Sequence, residues 1–342
     1  MATVQPLVSV VVPTYKRARY LPRTLESIAR QTYPNIELVI CDNASNDGSR
    51  EIIEGFRNRF AKFTFIEHPE NVGPVRNWFS GIEASQGEYT KIVFSDDFLY
   101  PNAIADLVKP LVGSSHGLSF GHVHNLWNGM WVTSLRNFTG SPVISARQYV
   151  TSLFAPRYMR ASLPISPGAA LMRREIISKL PLEAYADCFG FDVVQSGIGP
   201  DTAMYLASFA AAGTAVHCGT VISGFEGNAG SITVTSGQDR LDANNFRAVL
   251  KFRTLLPDGH PMAGDMDALI ALTLQGDPRI SRCSPRREII TACGLSMPVN
   301  PPPPALDPVG PAVTFLTRVI GAIQIRFCRV LALMGMRPFQ AL

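Results

Sequence analysis

Residues 7–15 read LVSVVVPTY, an apolar, β-branched run closed by Pro13, Thr14 and Tyr15. Only Ser9 interrupts it, which is how a strand covered on both faces reads; a half-solvated strand would alternate with a period of two. A regular beat follows. Arg19 to Gln31 sets Leu21, Leu25 and Ile28 at helical spacing, and Ile36 to Ile40 reads as a second buried strand. Gly48 to Phe60 predicts a second helix, Phe63 to Ile66 a third strand, Val75 to Ala84 a third helix, and Tyr89 to Phe94 a fourth strand. Such alternation predicts an α/β fold, an open and mostly parallel sheet with helices on both faces.

The chain of 342 residues is 46% hydrophobic and only 17% charged, against ~25% charged in an average domain. Disorder as the dominant state is excluded. At ~150 residues per domain the length allows two domains, or one larger domain with an appendage. The 31 basic and 27 acidic residues leave a net charge of +4, too small and too evenly mixed for nucleic-acid binding as the main business. Cys41, Cys188, Cys218, Cys283, Cys293 and Cys328 form no CxxC pair and have no histidine at zinc-finger spacing. Neither a disulfide framework nor a structural metal is expected, and a reducing, cytoplasmic compartment fits. The N-terminal MATVQPLVSVVVP lacks a basic leading region and reads as a first strand instead of a signal peptide.

In open α/β sheets ligands bind outside the carboxyl ends of the strands, so the residues after each strand carry the functional expectation. The first strand ends in Pro13-Thr14-Tyr15, the second in the run Asp42 to Ser49, and the fourth in Ser95-Asp96-Asp97. Asp, Asn, Gly and Ser in the second run also serve as ordinary turn and cap residues. Asp96 and Asp97 differ. Adjacent carboxylates repel, so a strand end that carries both needs a cation or a hydrogen-bonding sugar to compensate. An oxygen-only site suits Mg²⁺ or Mn²⁺, which takes one or two carboxylates and completes its shell with phosphate oxygens and water. The first turn, Thr14 to Arg19, carries neither GxGxxG nor a Walker A lysine motif, so phosphates must be held by metal and basic side chains.

VVPTYKR, then ICDNASNDGS, then NVGPVRNW, then FSDD, in that order, resemble family 2 glycosyltransferases of the GT-A fold, especially bacterial enzymes that build surface polysaccharides. The resemblance covers residues 1 to roughly 110 and, more loosely, the chain to about 240. It implies a nucleotide-sugar-binding part over 1–110, an acceptor-binding part over 111–240 and a helical C-terminal region over 241–342. It places Pro13, Thr14 and Tyr15 around base and ribose, with Asp42 accepting a hydrogen bond from the base. Asn71, Gly73 and Arg76, at the start of a helix, contribute to the donor pocket, where a helix N-terminus favours negative charge. Asp96 matches the position that contacts ribose or sugar, and Asp97 the one that coordinates the metal. Ser95 stands where many relatives carry another acid.

Transfer with inversion also needs a base beside the acceptor hydroxyl. Relatives keep this acid where a helix opens after a loop, and Gly197-Ile198-Gly199-Pro200-Asp201 has that shape, which makes Asp201 the expected base, with Asp187 and Asp192 as rivals. A first-turn aspartate that merely complements the helix dipole reads the same way. Downstream, relatives show an Arg-x-His-x-x-Ser pattern, whereas this chain has Glu226 and Asn228 at the matching places. Asn ligates weakly, so the metal is expected to be held loosely or in part by the donor's phosphates.

His116, His122 and His124 cluster without further ligands at zinc spacing, and Trp127 and Trp131 flank a hairpin at Gly129. Seven prolines between 298 and 311 predict a stiff connector. After it, 313–336 carries an apolar face and the arginines Arg318, Arg326 and Arg329. The arginines argue against a spanning helix and leave two readings, peripheral contact with a membrane or packing on the protein. The expected reaction moves a sugar from a nucleotide diphosphate sugar to a free or lipid-linked saccharide. Two alternatives are a nucleotidyltransferase, whose first loop is normally glycine-rich, and a nucleotide-sugar-binding protein without chemistry.

Overall fold

The computed structural model describes residues 5–127, 130–135, 141–154, 163–228, 231–257, 259–276 and 286–296. The proline-rich stretch 297–311 and the segment 313–336 lie outside these residues. The chain opens with β1 (Val8–Thr14), α1 (Leu21–Ala29), β2 (Ile36–Asp42), α2 (Ser49–Gly55), β3 (Phe63–Glu67), α3 (Pro74–Ala84) and β4 (Tyr89–Ile92). This is the expected alternation, with boundaries shifted by one to five residues. The helix expected to reach Phe60 stops earlier, and a short 3₁₀ turn, Arg57–Arg59, takes its place.

The next elements are β5 (Phe98–Leu99), α4 (Ala103–Val108), β6 (Leu118–Trp127), β7 (Met130–Leu135), β8 (Val143–Ser145), α5 (Ala146–Phe154), β9 (Ala170–Arg173), α6 (Arg174–Ile177), α7 (Val193–Ser196) and α8 (Pro200–Ala212). β10 (Thr214–Gly227), α9 (Ile232–Ser236), α10 (Gln238–Leu255), α11 (Pro261–Gln275) and α12 (Arg286–Ala292) complete the described chain. β10 runs well beyond the strand expected at Thr214 to Cys218, through two register shifts against β6 that bend it past Gly219.

One sheet takes the order β3-β2-β1-β4-β9-β6-β10-β5, with β7 paired to β6 and β8 to β10. β1, β2, β3 and β4 are mutually parallel, and β10 is parallel to β6. β9 runs antiparallel to both β4 and β6. From β1 the chain goes to one side for β2 and β3, then to the other side for β4. The carboxyl ends of β1 and β4 therefore face a crevice at the point where the strand order reverses, which is where such sheets bind ligands.

All seven residues of β1 are buried, because alternate side chains enter opposite apolar layers. Val8, Val10 and Val12 pack with Leu21, Leu25 and Ile28 of α1 and with Ile104 and Leu107 of α4. Val11 belongs to the other layer, with Val75, Phe79 and Ile82 of α3, Met204 and Phe209 of α8, and Leu269 of α11. That second layer runs unbroken into α12, at Ile289 and Ile290. Among the described residues no helix is long and apolar enough to cross a membrane.

The amino end of the sheet is closed by a buried carboxylate. Glu37 accepts hydrogen bonds from the Ser9 hydroxyl and from the backbone N–H groups of Gln86 and Gly87. Gly87 must be glycine here, since a Cβ would lie 2.7 Å from the Ser9 nitrogen. Glu37→Ala strands the Ser9 hydroxyl and the Gln86 N–H, while the Gly87 N–H keeps the Ser9 oxygen at 2.8 Å, and each hydrogen bond to a charged group is worth ~1.5–3 kcal/mol. Urea unfolding is expected to show a loss of about 3 kcal/mol; a loss below ~0.5 kcal/mol, the range of an ordinary surface change, would refute the role given to Glu37.

Candidate active site

The β1 and β2 ends are built from tightly bonded loops. Asp42 is buried, and its two oxygens accept from the Ser45 N–H at 3.0 Å and from the Ser45 hydroxyl. The same hydroxyl oxygen accepts from the Lys16 N–H at 2.9 Å, so one serine joins both strand ends. Asp47 accepts from the Ala18 N–H at 3.1 Å and caps the turn into α2 through Ser49. Lys16, Ala44 and Asn46 all have positive φ, so this rim holds strained backbone. Tyr15 is 37% exposed above it, with the Lys16 ammonium 5.0 Å from the ring centroid. Hydrogen bonding by Asn71, and then Lys16, lowers the pKa of its phenol.

A buried amide holds the next loop in place. Asn43 donates to Asn71 Oδ1 at 3.0 Å and to the Gly73 carbonyl at 3.3 Å, and it accepts from the Val72 N–H at 2.8 Å. Asn77 donates to the Thr14 and Cys41 carbonyls, which ties α3 to the same strand ends. Gly73 has φ +86°, and a Cβ there would stand 2.7 Å from Gln195 Oε1, so the α3 entrance lies against α7. Arg76 sits one turn further on, is exposed, and pairs with Glu183 at 2.6 Å.

Across the crevice stand Asp96 and Asp97. Asp96 is partly exposed, and its Oδ2 accepts from Arg17 Nε at 3.3 Å and Asn228 Nδ2 at 3.0 Å. Its Oδ1 has no hydrogen bond among the described residues. Asp97 is buried and accepts the Glu226 N–H at 2.9 Å. Burial first, and then the charge of Asp96, pushes its pKa well above the usual carboxylate range. Thr24 of α1 donates to the backbone carbonyls of Ser95 and Asp97 at 3.0 and 2.6 Å. Arg23 binds Glu226 at 2.9 Å and the Asp96 carbonyl at 2.6 Å, and lies over the Phe98 ring. Behind the pair, Lys91 of β4 is fully buried.

Asp201 lies in the first turn of α8, after Gly199 and Pro200. Its Oδ1 is enclosed and has no hydrogen-bond partner among the described residues, and burial raises its pKa to about 7. The hydroxyls of Tyr149 and Thr202 are likewise buried and unpartnered there. The rivals behave as turn residues: Asp187 accepts from the Gly190 N–H, and Asp192 caps α7 through the Gln195 N–H. Both are exposed. Among the described residues no three His, Cys, Asp or Glu side chains group as a metal cage. His116 bonds Thr214, His124 bonds Tyr100, and His122 packs edge-on against His217.

Residues 9–180, half of the chain, match the family described as glycosyl transferase family 2. The chain belongs to this family. Its relatives include glycosyltransferase GlyG of Streptococcus pneumoniae, 34% identical over 119 residues, which are 35% of this chain and 40% of GlyG. Abequosyltransferase RfbV of Salmonella typhimurium is 39% identical over 105 residues, 30% of this chain and 31% of RfbV. The chain thus spans less than half the length of these relatives. Over a larger span, the S. aureus TarS 1–349 structure in complex with UDP-GlcNAc superposes with a TM-score of 0.62 at 16% identity, covering 97% of this chain and 93% of that one. That is a likeness of GT-A fold, and it confirms the expected fold class.

Asn228, the residue after β10, reaches Asp96. Thr24, Asn43, Asn77 and Lys91 were not expected in the site. Lys91 left the clearest signal, as a lone charge in a buried strand. Asn43→Ala removes the amide that anchors residues 71–73, and buried polar groups left unpaired cost ~1–3 kcal/mol each. We expect about 2 kcal/mol less stability and faster amide exchange confined to 71–77. Unchanged exchange there would refute the anchoring role.

Proposed function

We propose that this family 2 chain transfers a sugar, with inversion, from a nucleotide diphosphate sugar to a saccharide hydroxyl in polysaccharide or cell-envelope synthesis. The observation that carries the reading is the rim at the β1, β2 and β4 ends, which joins one exposed aromatic ring and a charge-compensated carboxylate pair. An enclosed carboxylate in the first turn of α8 adds a candidate base. The donor part lies within 1–110 and the acceptor part within 111–240. Relatives named for sugar transfer, and neighbours whose structures hold UDP-GlcNAc or GDP-Man with Mn²⁺, support it.

In this reading Tyr15 stacks on the base, with Pro13 and Thr14 beneath it. Asp42 acts through the loop it shapes with Ser45, and Asn71 and Gly73 close the pocket wall. Arg76 answers to the donor only by leaving Glu183. The donor set fits a divalent cation with few protein ligands, because Asp96 keeps one carboxylate oxygen open and Asn228 stands beside it. We therefore assign the metal contact to Asp96, in place of the expected Asp97, whose carboxylate is buried behind it. Such a cation, Mg²⁺ or Mn²⁺, supplies charge to a departing diphosphate. Arg17 lies within reach of the same region and neutralises Asp96 in the meantime.

Asp201 acts as the base. It takes the acceptor hydroxyl's proton as the new glycosidic bond forms on the face opposite the leaving diphosphate. A carboxylate with a pKa of about 7 is well matched to that task, and its placement at a helix N-terminus helps it to ionise.

A thermal-shift panel of UDP-, GDP-, CDP- and dTDP-sugars, with and without Mn²⁺, should show stabilisation by one nucleotide class, because binding to the folded state alone shifts the transition. No shift with any donor would sink the reading. Asp201→Asn is expected to lower turnover by ~10²–10⁴ while nucleotide affinity stays within about threefold. Wild-type kcat should fall about tenfold per pH unit below about 7, because the base must be ionised. Between the ordinary carboxylate value and about 7 the folded chain keeps the Asp201 proton that the unfolded chain has released, so Asp201 weakens the fold as pH rises through that window. Asp201→Asn should remove that slope, and an unchanged pH–rate profile in this variant would exclude Asp201 as the base.

A further inference from the structure

Lys91 is the third residue of β4, between Thr90 and Ile92, and is 0% exposed. Removing an ammonium from water is costly unless hydrogen bonds and a counter-charge replace the solvent. Both are present. Its Nζ donates to the Gly168 carbonyl, and Asp97 on the same strand end supplies the opposite charge. Ser223 of β10 donates to the same Gly168 carbonyl at 2.9 Å. Tyr205 of α8 donates to the Ser166 carbonyl at 3.0 Å. The turn at Ser166–Gly168 is thus held by side chains from three elements. A Cβ on Gly168 would stand 3.0 Å from the Phe225 ring, so the turn has little room to shift.

Those three elements lead to the polar groups of the proposed site. A turn after β4 carries Asp96 and Asp97, Asn228 follows β10, and Asp201 lies in the first turn of α8. We infer that Lys91 is a positioning residue: through the Gly168 carbonyl it fixes the acceptor-side turn against the Asp96–Asp97 strand end and so sets the separation between the departing diphosphate and Asp201. This rests on the proposed transferase reading. Replacing Lys91 alone leaves Asp97 buried without that opposite charge and lowers stability whatever the role of the lysine, so the turnover and donor affinity of the folded chain are what separate a positioning lysine from a purely structural one. The positioning role requires a chain that stays folded and turns over slowly, since a displacement of about 1 Å can cost ~10²-fold in rate.

The test compares Lys91→Met with Ser223→Ala and Tyr205→Phe in the full chain. Four quantities are read: the unfolding midpoint, amide exchange over 166–170, the Kd for the nucleoside diphosphate (UDP, GDP, CDP or dTDP) that stabilises wild type, and kcat with its sugar donor. Lys91→Met is expected to unfold below the wild-type midpoint, bind the diphosphate within about threefold where folded, exchange faster at Gly168 and lose about 10–100-fold in kcat. The other two variants should shift exchange and kcat in the same direction by less, and they decide the matter if Lys91→Met does not fold. Wild-type kcat in the folded variants overturns the proposal. So does a diphosphate affinity that falls in parallel with kcat, or exchange at 166–170 that none of the variants alters. If wild type transfers no sugar at all, the transferase reading fails on its own, and the exchange data still decide whether Lys91 holds the turn.

Discussion

Two carboxylates on consecutive residues at a buried strand end repel each other, and the architecture around them supplies positive charge from every side. Arg17 reaches Asp96 from the first βα loop. Arg23 of α1 neutralises Glu226, which β10 brings against Asp97. Lys91 approaches Asp97 from within β4. Asp96 and Glu226 are therefore each paired with an arginine, and Lys91 adds a favourable charge for Asp97 against the burial that raises its pKa. Buried charges persist only when paired and hydrogen-bonded in this way. The packing of α1 and β10 onto the sheet is correspondingly hard to separate from the electrostatics of the site.

The same compensation bears on the cation. A cluster that is already balanced attracts a free divalent ion less than a bare acidic cage would, because the field at the site falls with its net charge. A hard cation that keeps few protein ligands then depends on phosphate oxygens for the rest of its shell. One open oxygen on Asp96 and an amide at Asn228 agree with that division, in which much of the coordination arrives with the donor.

The donor half was legible because its signals are local. Apolar runs, helical spacing and strand-end residues lie within about a hundred residues of one another, and each strand end in a parallel sheet points to the same edge. The chain beyond about residue 110 was less legible because its part of the sheet is assembled from distant pieces. The Ser166–Gly168 turn, the α8 entrance and the end of β10 meet only through tertiary hydrogen bonds that no spacing encodes. The start of α8 was legible there, because a glycine-rich loop, Pro200 and an acid in the first turn form a local helix-start signal. Which of Asp96 and Asp97 faces outward could not be read, since the strand ends at Ile92 and the pair lies in a turn where period-two alternation no longer applies. Lys91 was passed over for the opposite reason: it sits within a strand that every other residue marks as buried.

These differences have a common physical origin. Donor recognition needs a fixed edge, and a parallel sheet provides one from sequence-local units. Catalysis needs the base held at a set distance from that edge, and a distance between two structural units can only be set by contacts that cross between them. In this chain the described crossings between residues 1–110 and the rest include the side-chain pairs Arg23 to Glu226, Asn228 to Asp96 and Arg76 to Glu183, and others end on a backbone carbonyl, as Lys91 does at Gly168 and Arg174 at Gly87. A carbonyl accepts two hydrogen bonds without carrying a formal charge, so it can join a cationic β4 side chain to a neutral β10 hydroxyl at one atom. The acceptor atom itself then asks for no particular side chain, although at Gly168 the Phe225 ring leaves little room for one, so the tightness of the turn and the donors that reach it act together.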